Sequence, residues 1–440
     1  MDVVLVFFLF FGSLLFSIFK GISIIYPLLL GLVCFTGISL RRGYRLADLG
    51  KMMLNGSKIS LIVLKIFVLI GAITAVWRAC GTIPFIVYYG IVFMSAEYFV
   101  VSAFLLSCIV SFLLGTSFGT VGTIGVVLMV LGKSGHVDIN VAAGAIIAGA
   151  YFGDRCSPMS SSANLIAALT DTRLFTNIKN MAKTTILPFV LSIPCYIFLS
   201  LENPLTFHGN QIGNEIANSF DIGIVVLLPA LIILLLSALK IDVKLSMGLS
   251  ILSGILIAIF VQHRTFLEVL EYIATGYRMN EPGFFAGIIQ GGGLYSMLNV
   301  SLIVFISSAY SGIFEGTGLL RELEHFFERL SQKIGVFPGM MLTSIATAAF
   351  SCNQTLAVIL TNQFEHKIYK KRKLSKYRLA LDMENTVIVI SALIPWNIAG
   401  AFPAAALSAD SGFIPYAFFL FLVPIVNCFT KPSLSGDLDE

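Results

Sequence analysis

Residues 148–164 read AGAYFGDRCSPMSSSAN, a polar interruption in a strongly apolar chain. An apolar run that starts at Val141 ends here at Asp154 and Arg155, and Pro158 and three successive serines follow. Backbone groups at membrane depth must be hydrogen-bonded, so such a break is tolerated only where it lines a cavity or packs inside protein. The stretch therefore predicts a broken helix within a membrane domain.

The composition also indicates a membrane protein. Of the 440 residues, 57% are hydrophobic and 12% are charged, with a mean hydropathy of +0.92. A soluble domain carries roughly 25% charged residues. The net charge of +4 comes from basic residues in short loops, so it does not indicate a nucleic-acid ligand. Seven dispersed cysteines indicate neither a disulfide framework nor a resident metal, and we expect no cofactor.

Apolar runs that approach the roughly 20 residues needed to cross a bilayer recur along the chain. They are 3–19, 22–40, 59–77, 97–114, 184–201, 221–239, 245–262, 297–314, 336–364 and 412–430. Shorter apolar pieces broken by Gly, Pro, Ser or Asn lie between them. We predict an all-α polytopic membrane protein with about 10–12 transmembrane helices.

Loop charges predict the orientation. Basic residues cluster at 41–58 and 367–378, whereas 202–221 contains no Lys or Arg. The positive-inside rule places both basic loops in the cytoplasm, and the N-terminus with them, in a multi-pass protein of the cell inner membrane. Charges at helical spacing in 321–333 predict either an amphipathic helix at the interface or a solvated loop helix.

Four polar breaks fall in apolar segments and form two pairs. They lie at 115–120, 153–164, 351–355 and 394–397. Thr120 and Asn164 are 44 positions apart. Thr355 and Asn397 are 42 apart. Paired breaks in two halves are typical of a transporter built from repeats, with its site at the midplane. Close packing of small residues is the alternative explanation.

This pattern predicts four regions. They are N-terminal spans with a basic loop (1–58), a first transport repeat (59–200), connecting spans (201–296), and a second transport repeat with the C-terminal span (297–440).

The side chains at the breaks are mostly hydroxyls and carboxamides. With the free N–H and C=O groups of opened helix ends, they could replace the hydration shell of a small cation or hold an anionic substrate. The candidate binding residues are Thr116, Ser117, Thr120, Asp154, Ser157, Ser160, Ser161, Ser162, Asn164, Asn353, Gln354, Thr355, Glu384 and Asn397.

Two of these candidates are ionisable, and ionisable groups inside a membrane are costly, which makes each a functional hypothesis. Asp154 is the predicted proton carrier, with Arg155 as its expected partner. The alternative is a structural Asp154–Arg155 pair at a helix end. Glu384 is either a functional group or a charge on an interfacial helix.

One motif resembles a catalytic site. Gly115 to Gly119 match G-x-S-x-G, the serine nucleophile elbow. Such a serine needs a base, normally histidine. All five histidines lie in polar segments or at the ends of apolar runs. We therefore do not expect an enzyme.

At its breaks the chain resembles the NhaC-type sodium/proton antiporter family. The resemblance rests on GTSFGTVGTIG (115–125), AGAYFGDRCSPMSSSAN (148–164), SCNQTLAVIL (351–360) and LIPWNIAGAF (393–402). It implies a secondary antiporter with inverted repeats and re-entrant hairpins. Asp154 matches the family's acidic position. The elements that follow it match at Ser157, Pro158, Ser160 and Asn164, and in the second half at Pro395, Trp396 and Asn397.

The chain departs from the family pattern at acidic positions. Ser161 stands where the family usually has Asp, and a neighbouring acidic pair is reduced to Glu384-Asn385. These departures put the usual sodium/proton stoichiometry in doubt and leave the scaffold unchanged.

Two functions follow. The first is a sodium/proton antiporter in which a proton and a transient sodium ion compete for Asp154 and the oxygens around it. The second is a sodium- or proton-coupled carrier of an organic acid or amino acid, because helix N-termini attract carboxylates. The expected partners are sodium, protons and membrane lipid, with a homodimer as an open alternative. A purely structural membrane protein does not explain the matched breaks.

Overall fold

The computed structural model describes residues 2–20, 22–93, 96–206, 211–239, 241, 243–279, 284–319 and 334–430. The segment 321–333, for which a charged helix is predicted, lies outside the described residues. The regular elements of the described ranges are helices, together with an isolated bridge between Tyr277 and Gly291.

The helices before the first predicted break and those between the two halves form the surrounding scaffold. The N-terminal ones are Asp2–Phe19, Ile25–Arg41, Leu46–Ala79 and Thr82–Phe93, followed by the short turn Ala96–Tyr98. The connecting ones are Gln211–Ser219, Ile224–Leu227, Leu228–Ala238, Val243–Phe260, Phe266–Thr275, Phe284–Ile289, Gly293–Ser296 and Leu298–Thr317.

Several helices have the length and apolar character of membrane spans. Within the described ranges, three qualify alone: Ala96–Leu114, Ser117–Ser134 and Leu174–Glu202. Two bent pairs qualify jointly: Leu64–Ala79 with Thr82–Gly90 at 65°, and Gly213–Ser219 with Ile224–Leu236 at 98°. Shorter apolar helices are Ile25–Arg41, Lys244–Phe260, Leu298–Phe314, Val336–Ser351 and Phe418–Phe429. The all-α polytopic membrane architecture is confirmed, and the number of crossings stays a prediction.

Each half of the chain contains a helical hairpin. The first hairpin is Phe99–Leu114 and Ser117–Ser134, an arm made of the helical pieces Ser117–Thr120, Val121–Gly125 and Val126–Ser134. The second hairpin is Val336–Ser351 and Gln354–Lys371. The predicted continuous span 336–364 is therefore wrong, because the chain reverses at Cys352 and Asn353. Hydrogen bonds between the two arms show the reversal: Thr343 donates to Glu365 at 2.6 Å, and Thr347 pairs with Thr361 at 2.7 Å.

A broken helix follows each hairpin. The first broken helix is Ile139–Cys156 and Ser161–Leu169, and Leu174–Glu202 comes next. The second broken helix is Lys376–Glu384, Val387–Ala392 and Ile398–Ala406, and Ser411–Tyr416 and Phe418–Phe429 come next.

The two halves share one register. The elements that begin at 99, 117, 139, 161 and 174 have counterparts that begin at 336, 354, 376, 398 and 411, so each interval equals 237 residues (336 less 99). The backbone repeats as well. The residue pairs His136 and Lys373, and Asp171 and Ser408, keep this interval, and all four have positive φ.

The hairpin tips show why the predicted spacing differed between halves. Gly115 (φ +66°) and Cys352 (φ +52°) end their helices in the left-handed region. Thr116 and Asn353 follow in extended conformation, and each caps the next helix with its side chain. The equivalent caps of the broken helices are Ser160 and Asn397. From tip cap to break cap is thus 44 residues in both halves (160 less 116, and 397 less 353). Thr120 and Thr355 are therefore not equivalent positions, because they share a residue type and not a place in the backbone. The equivalent tip residues are Thr116 and Asn353.

Glycines bring the first hairpin against the first broken helix. A Cβ on Gly149 would lie 2.5 Å from the Phe104 carbonyl oxygen, and one on Gly153 would overlap the Ser111 backbone. The Ser111 hydroxyl also donates to the Ala150 carbonyl. This close contact fixes the end of the helix that carries Asp154.

Candidate functional site

Each hairpin tip lies against the break of the broken helix in its own half. In the first half, a Cβ on Gly115 would lie 2.5 Å from the Met159 Cβ and 2.8 Å from the Ser160 nitrogen. In the second half, the Ile398 N–H donates to the Cys352 carbonyl at 2.9 Å. All four breaks therefore belong to two tip-to-break junctions.

Asp154 lies where these junctions meet. Its side chain is buried, with 4% of its surface exposed. The Gln354 Nε2, from the second tip, lies 3.3 Å from Asp154 Oδ2. The Ser117 N–H and hydroxyl, from the first tip, and the Ser162 hydroxyl are within hydrogen-bonding reach of the same carboxyl group. Three segments thus converge on one acidic side chain.

The helix ends suit an anionic carboxylate. Ser117 and Gln354 are the first residues of the two hairpin arms that follow the tips. Free N–H groups and the positive end of the helix dipole favour negative charge at such positions. The site therefore holds a carboxylate among polar groups within a low-dielectric environment, where a cation or a proton can neutralise it.

Serines of the first break lie beside Asp154. Both Ser160 and Ser162 direct their hydroxyls to the Asp154 main-chain carbonyl, and Ser162 does so at 3.0 Å. The two hydroxyls are 2.9 Å apart. This network satisfies the carbonyl that the helix break opens and holds the hydroxyls close to the carboxyl group.

The expected pairing of Asp154 with Arg155 is wrong. Arg155 is fully buried, and its guanidinium turns towards neutral groups. Its hydrogen bonds go to the hydroxyls of Thr184 and Thr185, the side chain of Asn385, the Cys156 sulfur and the Glu384 carbonyl. Successive residues of a helix point about 100° apart, so neighbours in sequence face different surroundings.

Glu384 is buried on the same side as Arg155. It has no exposed surface, so the alternative of an interfacial charge is wrong. Neither carboxyl oxygen has a hydrogen-bonding partner among the described residues. Both Arg155 and Asp154 are near enough to interact with it electrostatically. The charge state of Glu384 therefore depends on both Arg155 and Asp154.

The remaining candidates have local or peripheral positions. Hydroxyls at Thr120 and Ser157 bond within their own turns, and Thr116 and Asn353 cap helices. The Asn397 amide caps its helix and donates to the Ala348 carbonyl at 2.7 Å, so both of its polar groups are used. The side chains of three further candidates are exposed: Ser161, Asn164 and Thr355. The structure thus brings together Ser117, Asp154, Ser160, Ser162 and Gln354, with Glu384 behind them.

Sequence reasoning missed Glu365 and Asp382, which are buried near the second hairpin. The available signal was helical spacing, since Thr361, Glu365 and Tyr369 recur every four residues and share one helix face. Glu365 directly precedes the basic segment 367–378, so by sequence it looks like part of a charged loop.

Comparison with known proteins adds an independent finding. The profile of the Na+/H+ antiporter family matches residues 149–429. The Na(+)/H(+) antiporter NhaC of Alkalihalophilus pseudofirmus is 31% identical over 397 residues, which cover 89% of this chain and 86% of that protein. The malate-2H(+)/Na(+)-lactate antiporter of Bacillus subtilis is 27% identical over 88% of this chain and 84% of its own. The arginine/ornithine antiporter ArcD of Halobacterium salinarum is 29% identical over 92% of this chain and 86% of its own.

Proposed function

The chain belongs to the Na+/H+ antiporter family, and we propose that it exchanges sodium ions for protons at the Asp154 site. The observation that carries the proposal is the convergence on Asp154 of both hairpin tips and the first break. Gln354, which reaches it at 3.3 Å, is 200 residues away in sequence. An exchanger needs one site that two moving halves share, and this carboxyl group lies between them.

Exchange follows from competition. A sodium ion enters the site only if oxygen atoms replace its water, and here the carboxylate and the hydroxyls of Ser117 and Ser162 supply them. A proton neutralises the same carboxylate without needing the hydroxyls. A protonated carboxyl group no longer attracts the cation, and a bound sodium ion disfavours protonation, so either ligand excludes the other.

The proposed setting is the cell inner membrane, with the N-terminus and the basic loops 41–58 and 367–378 in the cytoplasm. The unequal distribution of Lys and Arg supports this orientation. A proton gradient and the membrane potential, worth about 2.3 kcal/mol per charge per 100 mV, then drive cation movement.

A second candidate is a sodium- or proton-coupled carrier of an organic acid or amino acid. It is supported by relatives of similar identity whose names specify malate and lactate, or arginine and ornithine. It is also supported by Ser161, which stands where the family resemblance implies an acidic residue. We prefer sodium/proton exchange because the Asp154 carboxylate and the hydroxyls beside it are oxygen groups that suit a small cation.

The test uses purified protein in liposomes that contain a pH dye, with sodium, lithium, potassium or choline added outside. Wild type should give a cation-dependent pH change, and Asp154→Asn should give the choline baseline. Asp171→Asn is the matched control, since Asp171 is an exposed residue whose ion pair with Lys376, at 3.5 Å, lies at the surface.

Outcomes separate the candidates. A cation response that survives in Asp154→Asn would refute the proposed site. The second candidate would be favoured if no cation gives a response and a carboxylate or an amino acid stabilises the protein thermally.

A further inference from the structure

Polar side chains form a file of hydrogen-bonded pairs, about one helical turn apart, inside the second hairpin. Starting near the tip, Thr347 and Thr361 pair at 2.7 Å, and one helical turn further from the tip Thr343 donates to Glu365 Oε1 at 2.6 Å. These groups are buried. The file therefore runs along the hairpin towards its base, and it begins about two helical turns from Gln354, the residue that reaches Asp154.

The file continues at the base of the hairpin, beside the second broken helix. The Tyr369 hydroxyl donates to Asp382 Oδ2 at 2.7 Å, and Arg378 Nε donates to the same oxygen at 2.9 Å. Ser344 bonds to Thr386, which donates to the Asp382 carbonyl at 2.6 Å. Arg378 belongs to the basic segment 367–378, so the file ends at the face that carries this loop.

Two carboxyl oxygens in the file are unsatisfied. Glu365 has no exposed surface, and its Oε2 has no hydrogen-bonding partner in the described part of the chain. Asp382 is 1% exposed, and its Oδ1 likewise has none there. Asp382 faces Glu365 from the second broken helix, while Tyr369 and Arg378 face Asp382. A buried charge without a basic partner is costly, so Glu365 is most stable with a proton.

The first half of the chain provides an internal control. At the interval of 237 residues, the positions of Thr343, Thr347, Thr361, Glu365 and Asp382 are occupied by Leu106, Val110, Ile124, Leu128 and Ala145. The same helices thus carry apolar side chains at all five of these positions, although Leu106 is exposed and the counterpart of Ser344 is still a serine, Ser107. The fold therefore does not require a carboxyl group at the positions of Glu365 and Asp382.

We propose that this file is the route by which protons travel between Asp154 and the face of the basic loop, with Glu365 as the proton-carrying group within it. The inference rests on the proposed exchange at Asp154. Protons pass along hydroxyl and carboxyl groups by exchanging hydrogen bonds. The gaps, one turn of about 5.4 Å between pairs and about two turns between Thr361 and Gln354, are bridged by side-chain rotation and water molecules. Sodium needs several oxygens at once, and paired hydroxyls inside a packed hairpin do not offer them. Each step transfers one proton from a donor oxygen to an acceptor oxygen, and the net charge of the file is restored when the next proton enters.

The experiment compares two fluxes in liposomes. The first is the pH change driven by a sodium gradient. The second is the exchange of radioactive sodium for unlabelled sodium at equal pH and equal sodium on both sides, which needs no net proton movement. Glu365→Gln should lower the first by roughly 100-fold and leave the second unchanged. Asp154→Asn should abolish both, and Glu271→Gln, at an exposed position, should change neither.

Further variants and a spectrum make the test decisive. Glu365→Leu introduces the residue found at the equivalent position in the first half, Leu128. It should keep the exchange of radioactive for unlabelled sodium, which would show that the fold tolerates the loss of the carboxyl group. An unchanged pH response in Glu365→Gln, or equal loss of both fluxes, overturns the inference. If wild type shows no sodium-driven pH change, the proposed function fails. The infrared carbonyl band of protonated carboxyl groups tests separately whether Glu365 carries a proton. A Glu365→Gln spectrum identical to wild type overturns that assignment and the route with it, and a weaker band supports the assignment.

Discussion

Asp154 and Arg155 are neighbours in the chain and belong to different environments. The Asp154 side chain faces both hairpin tips, and Arg155 faces Thr184, Thr185 and Asn385. The guanidinium has five N–H groups, and five acceptors surround it. Arg155 is thus a positive charge held by neutral groups, and it interacts electrostatically with the buried Glu384.

Arg155→Lys should therefore be strongly destabilising, although it keeps the charge. A lysine has three donors at one point and cannot reach all five acceptors, so buried hydroxyl and amide groups lose their partners. We expect a loss of roughly 2–5 kcal/mol in the free energy of unfolding, seen as a lower Tm of the purified protein. Arg173→Lys, at an exposed helix start, is the control and should leave the Tm unchanged. Equal Tm values for Arg155→Lys and wild type would contradict this account.

At the scale of elements, the two halves use the same hairpin and broken helix and pack them differently. In the first half, Gly149 and Gly153 allow contact between backbones. Their counterparts in the second half are Thr386 and Ile390, whose side chains keep the hairpin further from its broken helix. The first half is therefore a close-packed support for Asp154, while the second half has room for a polar file.

Gly149→Ala should disturb this support. Its Cβ would lie 2.5 Å from the Phe104 carbonyl oxygen and 2.7 Å from Ser107 Cβ, neither of which can rotate away. We expect a cost of about 1–3 kcal/mol, with slower exchange because Asp154 shifts. Gly37→Ala is the control, since nothing lies within 4 Å of its added Cβ. That substitution should be neutral or stabilising by up to about 1 kcal/mol. The prediction fails if Gly149→Ala is as stable as Gly37→Ala, as measured by thermal unfolding.

At the scale of the whole molecule, the site joins the two halves. Asp154 comes from the first half and Gln354 from the second, and Tyr151 donates to the Ala399 carbonyl at 2.7 Å beside them. A ligand bound at Asp154, as proposed above, would therefore connect elements that are far apart in the chain. Binding to the folded state alone stabilises it by mass action.

Sodium should raise the Tm of the wild type relative to choline at equal ionic strength. At a concentration 100 times Kd, the stabilisation is about 2.7 kcal/mol. Asp154→Asn should remove this shift, and Gln354→Ala should reduce it, whereas Gln363→Ala, exposed on the same helix, should preserve it. A sodium-induced shift that persists in Asp154→Asn would place the cation elsewhere.

The fold class was predictable from local features, and so was the position of Asp154 beside a helix break. Long apolar runs indicate membrane helices, and breaks at Asp154, Asn353 and Asn397 indicate interrupted ones, since both signals lie within a few residues. The family resemblance, confirmed by the comparisons, depends on the same short motifs.

The partners of these residues were decided only by the tertiary structure. The Asn397 amide is occupied by the Ala348 carbonyl and by its own helix, which no local pattern predicts. Glu384 is buried because of the way the second broken helix packs. Sequence by itself determined which segments are helical, where they break and which residues are chemically suited to bind ions, because those properties depend on side-chain type and local spacing. The tertiary structure decided that Asp154 faces Gln354, that Arg155 faces neutral groups, and that Glu365 belongs to a buried file. Such contacts join residues that are far apart in the chain. The distances between these residues depend on how whole helices pack together, and local sequence spacing does not determine that packing.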